Sequence, residues 1–445
     1  MKLLRNLEIQ VAVVVCFLAF SHAVATEGGG KLDDVLLAQD LWTIDTVKFT
    51  ERANNLGFRW VSTAKDSARS VMPGLTFRNM PVLEVIVRFS SNTVSSVMMS
   101  LYNRGDAGEI DEATLQKQID LVTGEMSSLA GIKGREIVSR QATRVDLKVQ
   151  SLVWEKAPSV YFLEYAFSRM KPGAGNRSTI RAEFINLSIG RQGAATQKQF
   201  AGEQKVDVAY SELKGHIKKT AEGDVYLDNV PMVDQGQKGY CALATTERIM
   251  RYYGVDVNQH ELAQKAATAT GERGGTDPES LVKVLKSMAN ALNVRTKTLQ
   301  EFNIREFLGM IRDYNRLAKR KKSPEVILPT SGVIDIAKIY GELDKDTYLE
   351  MCAKETAQID RFSKIIKDKV SNGFPVLWGV QLGLVDEKPE LPQAKGGHLR
   401  LIIGYNSKSP SVIYSDSWGA GHEMKHMKLT DAYAITTGLY TIEPR

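Results

Sequence analysis

The sequence predicts an α+β protein with two domains, a smaller N-terminal domain and a larger C-terminal domain. Runs of β-branched and apolar residues of strand length alternate with amphipathic stretches of helical period, which is typical of mixed helix and sheet. At 445 residues the chain is long enough for two hydrophobic cores. Residues 26–191 contain no cysteine and no histidine. We therefore expect the chemistry in the C-terminal domain.

Composition and charge exclude several classes of protein. The chain is 43% hydrophobic and 25% charged, which is ordinary for a globular protein. Its net charge of +6 is mild for this length and indicates neither a nucleic-acid partner nor a membrane surface. The three cysteines are Cys16, Cys241 and Cys352. Because the first lies in a predicted leader, the other two cannot form a disulfide framework.

Residues 1–25 are predicted to be a secretory signal peptide. Lys2 and Arg5 precede an apolar run from Val11 to Phe20, and Ala23-Val24-Ala25 is a cleavage site of small residues. The apolar run is about half of the ~20 residues needed to cross a bilayer, which argues against an uncleaved anchor. We therefore expect an exported protein, secreted or periplasmic, with no membrane span.

Residues 26–191 are predicted to form an α+β domain in which one antiparallel sheet packs on a helix. The helix is expected from Asp111 to Leu129, with five apolar side chains inward: Leu115, Ile119, Leu121, Val122 and Met126. Strands are expected at 58–62, 82–90, 93–102, 145–154, 159–167 and 180–189.

Residues 224–445 are predicted to form the C-terminal domain, after a polar linker at 192–223. Helix starts are indicated by Asn258 with Glu261, Asp277 before Pro278, and Asn303 with Glu306. The third helix is expected to end at the basic run 319–322. A further long helix is expected at 346–372, with Cys352 as a buried, inert thiol. Strands are expected at 375–380, 398–405, 411–415 and 435–442, with an outward loop at 386–395.

Cys241 is the strongest candidate for a reactive group. It follows a loop that contains Gly236 and Gly239, and the residues after it repeat apolar groups at helical spacing as far as Gly254. Cys241 is therefore predicted to open a helix. At that position the unpaired backbone N–H groups and the positive end of the helix dipole favour the thiolate, which is the nucleophilic form.

A reactive cysteine needs a base, a group that orients the base, and donors for an oxyanion. His398 lies in the strand-like run GGHLRLIIGY, and Asp416 follows a second such run in VIYSDSWG. Gln235 carries an amide donor six residues before Cys241. Gln237 is a weaker candidate for the same role because it lies four residues before the cysteine.

The order of these four residues resembles the papain-like cysteine peptidases. VDQGQKGYC is similar to their Q-G-x-x-G-x-C segment, and Asp416-Ser417-Trp418-Gly419 is similar to their N-S-W-G segment, with Asp in the place of Asn. That aspartate, and a small-residue helix ending in Tyr252-Tyr253-Gly254, resemble the C39-like branch. The resemblance covers the C-terminal half only. It departs at Ala242, where papain-like enzymes carry tryptophan, and at Lys238, where papain carries a cysteine.

The resemblance implies a papain-like fold, with a helical half and an antiparallel-sheet half, and an exported cysteine peptidase that cleaves peptides or proteins without a cofactor or metal. In this family the matching residues act as nucleophile (Cys241), base and acid (His398), orienting group (Asp416) and oxyanion donor (Gln235), and Trp418 shields the histidine contact. The best-known C39 members trim leader peptides within membrane transporters. That substrate does not carry over, because no such membrane region is present.

Two roles remain open for the N-terminal domain. It is either a pro-segment that covers the active-site cleft until its removal, or a permanent binding module that extends the cleft. Its length is large for a pro-segment and favours the binding module.

A zinc peptidase is an alternative interpretation of the same sequence. His422, Glu423 and His426 satisfy H-E-x-x-H, which on a helix places two zinc ligands one turn apart with a glutamate base between them. The motif follows Gly419-Ala420-Gly421 and leads into a strand-like stretch, whereas the mechanism needs a long helix. Only Glu443 is a plausible third ligand.

Two further alternatives keep the cysteine site. A Cys-His-Asp set also serves transglutaminase-like and amidase acyl transfer, in which an amine captures the acyl-enzyme or the substrate is another amide. A non-catalytic peptide-binding protein with a peptidase-like shape is the third possibility. Nothing in the sequence separates hydrolysis from transfer.

Overall fold

The computed structural model describes residues 29–137, 147–169, 180–193, 206–236, 241–255, 257, 262, 293–329, 334–393 and 395–445. The predicted signal peptide, Gln237, Lys238, Gly239 and the helix starts at Asn258 and Asp277 lie outside these residues. The chain divides into two compact units. Described residues 29–193 belong to the first, and residues 206–255 and 293–445 belong to the second.

The N-terminal unit is a mixture of strands and helices, as predicted. Its described strands are β1 Arg59–Trp60, β2 Ser67–Ser70, β3 Thr76–Phe77, β4 Met80–Pro81, β5 Glu84–Ser90, β6 Thr93–Asn103, β7 Arg135–Ile137, β8 Leu147–Lys156, β9 Ser159–Arg169 and β10 Ile180–Arg191. Its described helices are α1 Asp33–Leu36, α2 Thr46–Arg52, α3 Arg104–Ala107 and α4 Glu112–Ala130, with a 3-10 turn at Asn54–Leu56.

One antiparallel sheet dominates this unit, in the order β1-β2-β5-β6-β10-β9-β8-β7 among the described strands. The β5–β6 hairpin turns through Ser91 and Asn92, whose φ angles of 50° and 65° give the two-residue turn that matches strand twist. The prediction of an antiparallel sheet packed on a helix is confirmed.

Helix α4 packs on this sheet through its apolar stripe. Asp111 caps the helix by accepting from the Thr114 N–H, and Gly131 ends it at a φ of 74°. Four of the five predicted inward residues are buried: Leu115, Ile119, Val122 and Met126. The prediction for Leu121 is wrong, because its side chain lies beside the stripe and is 44% exposed.

The C-terminal unit contains more helix. Its described helices are α5 Tyr210–Gly215, α6 Cys241–Tyr252, α7 Ile304–Lys321, α8 Ile336–Glu342, α9 Lys345–Cys352, α10 Thr356–Ser371 and α11 Leu429–Ile435. Its described strands are β11 Ile217–Lys219, β12 Asp224–Leu227, β13 Val294–Gln300, β14 Val376–Leu382, β15 Gly396–Asn406, β16 Ser411–Ser415, β17 Lys425–Lys428 and β18 Thr436–Pro444.

The strands of this unit form one antiparallel sheet in the order β11-β12-β15-β14-β18-β13, with β16 joining β15 to β17. Strand β15 is central, since it pairs with β12, β14 and β16. Its register with β16 shifts between Ile402 and Gly404, and an added Cβ at Gly404 would lie 2.5 Å from the Val225 carbonyl oxygen of β12. Glycine therefore allows the close approach that lets one strand serve three neighbours.

Helix α7 confirms the capping prediction. The Asn303 side chain accepts from the N–H groups of Arg305 and Glu306, and the basic residues 319–321 fill its last turn.

The prediction of one helix at 346–372 is wrong, because the chain forms α9 and α10 with a break at residues 353–355. No glycine or proline marks this break. It lets the two segments pack on different neighbours: Tyr348 of α9 donates to the Ala434 carbonyl of α11, whereas α10 packs on β15.

Part of the predicted linker is ordered in the C-terminal unit. Residues 206–223 include α5 and β11, and β11 pairs with β12. Within the described part of the chain, no helix combines the length and apolar character needed to cross a bilayer.

Candidate active site

Helix α6 carries the candidate nucleophile at its first residue. It begins at Cys241, as predicted, and Gly254 follows it with a φ of 80°. The helix is buried on nearly every side, including Thr245 and Arg248, so it runs through the interior of the unit. Thr245 Oγ1 donates to the Leu399 carbonyl at 3.3 Å, which joins α6 to β15 next to His398.

His398 lies between the cysteine and the aspartate. Its side chain is fully buried, and its Nε2 atom is 3.3 Å from Asp416 Oδ1. Because Nε2 contacts Asp416, the nitrogen left for the Cys241 thiol is Nδ1. The Trp418 ring stacks on the imidazole with a centroid distance of 4.2 Å and an angle of 7°. His398 therefore neighbours both Cys241 and Asp416.

Asp416 is a buried carboxylate with several positive neighbours. Arg400 Nε lies 2.8 Å from its Oδ1 atom, and Lys425 Nζ lies 3.5 Å from its Oδ2 atom. Burial acts to raise the pKa of Asp416, but the charge of Arg400 and the hydrogen bond from His398 hold this pKa well below its usual range. Asp416 is therefore ionised at every pH at which the protein is expected to work.

The pKa values of the thiol and the imidazole shift in opposite directions. Burial acts to raise the pKa of Cys241, but the hydrogen bond and charge of His398, with the N–H groups of Leu399 and Ala242, lower it overall. Burial acts to lower the pKa of His398, but hydrogen bonds with Asp416 and Cys241 raise it overall. These shifts favour a thiolate beside an imidazolium, which is the reactive form of such a pair.

Gln235 is held against the segment that carries Asp416. Its backbone N–H donates to the Ser417 carbonyl at 2.8 Å, and the Ser417 hydroxyl donates to its Oε1 atom at 2.6 Å. Both residues are buried. Since Oε1 is engaged by Ser417, the amide N–H groups of Gln235 remain as the donors that its side chain offers.

Arg248 is a structural member of the site that the sequence analysis missed. From the interior of α6, its Nε atom donates to the Pro231 carbonyl at 2.7 Å and its Nη1 atom donates to the Asp416 carbonyl at 2.9 Å. It thereby ties the nucleophile helix to the segment before Gln235 and to the end of β16. No local signal in the sequence marks this role, because Glu247 and Arg251 lie in the same helical run and a charged residue there is ordinary.

The H-E-x-x-H segment does not have the geometry of a zinc peptidase. Lys425–Lys428 is a strand, so His422 and His426 are not one helical turn apart. His422 Nδ1 faces Asp416 Oδ2 at 4.0 Å, whereas His426 Nε2 faces Asp224 Oδ2 at 3.7 Å. The two rings thus have different partners. In the described ranges, no three His, Cys, Asp or Glu residues cluster as metal ligands would.

Cys352 is a buried thiol on α9, as predicted. Only 3% of the residue is exposed, and burial raises the pKa of its thiol to about 12. It is therefore protonated at neutral pH and chemically inert.

The fold and the site define a class of protein. A buried helix opens with a cysteine and packs on an antiparallel sheet, which presents a histidine and an aspartate to that cysteine. This arrangement in the C-terminal unit resembles that of the papain-like cysteine peptidases.

Comparison with known families agrees with this class. Residues 227–440, just under half of the chain, match the Peptidase_C39 like family. No curated protein matches the sequence.

Two solved structures are similar over part of the chain. One is the peptidase domain of Streptococcus ComA, a bi-functional ABC transporter involved in quorum sensing; the identity is 13%, with 49% of this chain and 100% of that chain covered and a TM-score of 0.24. The other is xylellain, a cysteine protease from Xylella fastidiosa; the identity is 10%, with 55% and 92% covered and a TM-score of 0.25.

The two described cysteines should differ sharply toward an alkylating reagent. Iodoacetamide at pH 7 should label Cys241 rapidly, because its thiolate is stabilised, and should leave Cys352 unlabelled in the folded protein. Peptide mapping by mass spectrometry measures both sites. Denatured protein, in which both thiols should react, is the control. Equal labelling of the two thiols in the folded protein would contradict the assignment.

Removing the Arg248 guanidinium should destabilise the C-terminal unit. Arg248→Met leaves the carbonyl oxygens of Pro231 and Asp416 without their donor in a buried region, so we expect the free energy of unfolding to fall by about 3 kcal/mol or more. Urea denaturation measures this loss. The control is Arg316→Met on α7, an exposed arginine that removes only a solvent-exposed ion pair with Asp313 and should cost at most about 1 kcal/mol. Equal losses would show that Arg248 does not join these segments.

Proposed function

We propose that the protein is an exported cysteine peptidase that hydrolyses peptide bonds in peptides or proteins through Cys241, His398 and Asp416. The observation that carries this proposal is the placement of one buried imidazole against both the thiol of Cys241 and the carboxylate of Asp416. The match of residues 227–440 to the Peptidase_C39 like family supports the same chemistry.

The first half of the reaction is acylation of the enzyme. The Cys241 thiolate attacks the carbonyl carbon of the scissile bond, and a C–S bond forms while the carbonyl oxygen becomes an oxyanion. The Cys241 backbone N–H and the Gln235 amide donate to that oxyanion. When the tetrahedral intermediate collapses, the C–N bond breaks and His398 gives its proton to the departing amine.

The second half releases the acyl group. His398, now neutral, removes a proton from water, and the resulting hydroxide attacks the thioester carbon. The C–S bond breaks and the Cys241 thiolate returns beside a protonated His398. Throughout both halves Asp416 stays ionised and fixes the imidazole through Nε2, while the stacked Trp418 covers one face of the ring.

Ser417 supports the proposed role of Gln235. By donating to Oε1, the Ser417 hydroxyl fixes which end of the Gln235 amide is the acceptor end, and this directs the amide donors away from Ser417. An oxyanion donor held in this way needs no reorganisation during the reaction, which is the condition for strong electrostatic catalysis.

Substitution of the proposed catalytic residues should give graded losses of activity. Cys241→Ala should abolish cleavage of a peptide library, whereas Gln235→Ala should lower kcat by ~10²-fold to 10³-fold because one oxyanion donor is lost. Cys352→Ala is the matched cysteine control and should keep full activity.

Mass spectrometry of the products also separates hydrolysis from acyl transfer, since transfer to an amine yields new amide bonds instead of free carboxylates. Full activity of Cys241→Ala would disprove the proposal.

Export and processing form a second, separable part of the proposal. Residues 1–25 have the features of a signal peptide, and we propose that the N-terminal unit stays attached as a binding module. N-terminal sequencing of the exported protein tests both statements, with a start at Thr26 expected. A start near Glu222 would instead identify residues 26–221 as a removable pro-segment.

A further inference from the structure

Four charged side chains form a buried cluster behind the His398–Asp416 contact. The charge cluster consists of Glu387, Arg400, Asp416 and Lys425, and each of these side chains is at most 5% exposed. Glu387 belongs to the segment 386–395, which the sequence predicted to loop outward. Its neighbour Asp386 is almost fully exposed, but Glu387 points inward.

Each base of the charge cluster contacts both acids. Arg400 lies 2.8 Å from Asp416 and 3.1 Å from Glu387, while Lys425 lies 3.5 Å from Asp416 and 3.3 Å from Glu387. The contacts close a ring in which two positive charges balance two negative charges. Uncompensated charge in a buried position is costly, so removal of any one member leaves a net charge beside the active site.

Aromatic rings enclose the two bases. The Arg400 guanidinium lies 4.7 Å from the Tyr414 ring centroid and 5.5 Å from that of Trp378, and Lys425 Nζ lies 5.2 Å from the Tyr414 ring centroid. The Tyr414 hydroxyl donates to Glu387. These rings exclude water and hold the cations by cation–π attraction, so the charges of the cluster are weakly screened.

Other charged or titratable groups face Asp416 from the surrounding elements. His398 contacts it from β15, and His422 Nδ1 lies 4.0 Å away in the turn before β17. Arg248 reaches the Asp416 backbone oxygen from α6. Burial lowers the pKa of His422, so this ring is neutral at neutral pH. The balance at Asp416 therefore depends on Arg400, Lys425 and Glu387.

We propose that Glu387, Arg400 and Lys425 are positioning residues that fix Asp416 and set the pH range in which Cys241 and His398 form their thiolate–imidazolium pair. This inference rests on the proposed function, because it assumes that the pair is the reactive form.

The proposal predicts opposite effects for opposite charge changes. Loss of the Lys425 charge makes the site more negative, which disfavours the thiolate and favours the imidazolium, so both ionisations move to higher pH. Loss of the Glu387 charge makes the site more positive, and both ionisations move to lower pH. A purely structural role would lower activity in both variants without opposite displacements along the pH axis.

The experiment measures two pH profiles on the full chain. One is the rate of Cys241 alkylation by iodoacetamide, which follows the thiolate. The other is kcat/KM for a fluorogenic peptide selected from the library as cleaved by the wild-type protein, which follows both members of the pair. The test variants are Lys425→Met and Glu387→Gln. Their matched controls are Lys428→Met, an exposed lysine of the same strand, and Glu390→Gln, an exposed glutamate of the same loop.

We expect the profiles of Lys425→Met to move to higher pH, and those of Glu387→Gln to lower pH, by about half a pH unit or more. The control variants should match the wild-type protein. No displacement, or displacement in the same direction for both test variants, would overturn the inference. Circular dichroism checks that each variant folds. If Glu387→Gln does not fold, Lys425→Met alone tests the inference: displacement of its pH profiles to higher pH supports the inference, and no displacement overturns it.

Arg400 is tested by a conservative change. Arg400→Lys keeps the positive charge but lacks the planar fork that contacts Glu387 and Asp416 together. We expect kcat to fall tenfold or more with little change in KM and little displacement of the pH profile. Full activity in this variant would overturn the positioning role of Arg400.

Failure of this inference is distinguishable from failure of the proposed function. If Cys241 in the wild-type protein is no more reactive than an ordinary thiol, the proposed function fails. If the wild-type thiol is reactive and the pH profile of its alkylation is the same in Lys425→Met and Glu387→Gln, the proposed function stands and only the proposed role of the charge cluster fails.

Discussion

The buried carboxylate of Asp416 is the group on which the rest of the site depends. An ionised side chain without access to water costs several kcal/mol unless positive charges and hydrogen bonds compensate it. Here Arg400 and His398 supply that compensation from β15, and Lys425 supplies it from β17. The carboxylate is therefore compensated only when the registers β15–β16 and β16–β17 are both correct, so the site depends on the pairing of these strands.

Helix α6 connects this sheet to the nucleophile. Arg248 reaches from the helix to the Asp416 backbone and to Pro231, and Thr245 reaches to Leu399 beside the histidine. Ser417 then holds Gln235 by two hydrogen bonds. Hence Cys241, His398, Asp416 and Gln235 lie on segments that are bonded to one another, which limits their relative movement and reduces the reorganisation that a reaction would need.

The secondary structure was predictable where its signals are local. Alternation of apolar and polar residues located the long strands of the N-terminal sheet, an apolar stripe of helical period located α4, and a side-chain cap located the start of α7. The prediction failed where packing overrides local pattern. The division between α9 and α10 carries no breaker residue. Residues 206–223 of the linker predicted at 192–223 contain α5 and β11, and β11 pairs with β12.

The sequence by itself determined the candidate nucleophile and its partners, because each of these residues lies within a short sequence motif typical of cysteine peptidases. The residues are Cys241, His398, Asp416 and Gln235. Only the tertiary structure decided which charged residues support them. Lysine, arginine and glutamate are usually exposed, so nothing local marks Arg248, Glu387, Arg400 or Lys425 as buried. These residues are buried because strands and loops that are distant in the sequence pack around the Asp416 carboxylate. The ion pairs formed there supply the free energy that keeps the charged side chains in the interior.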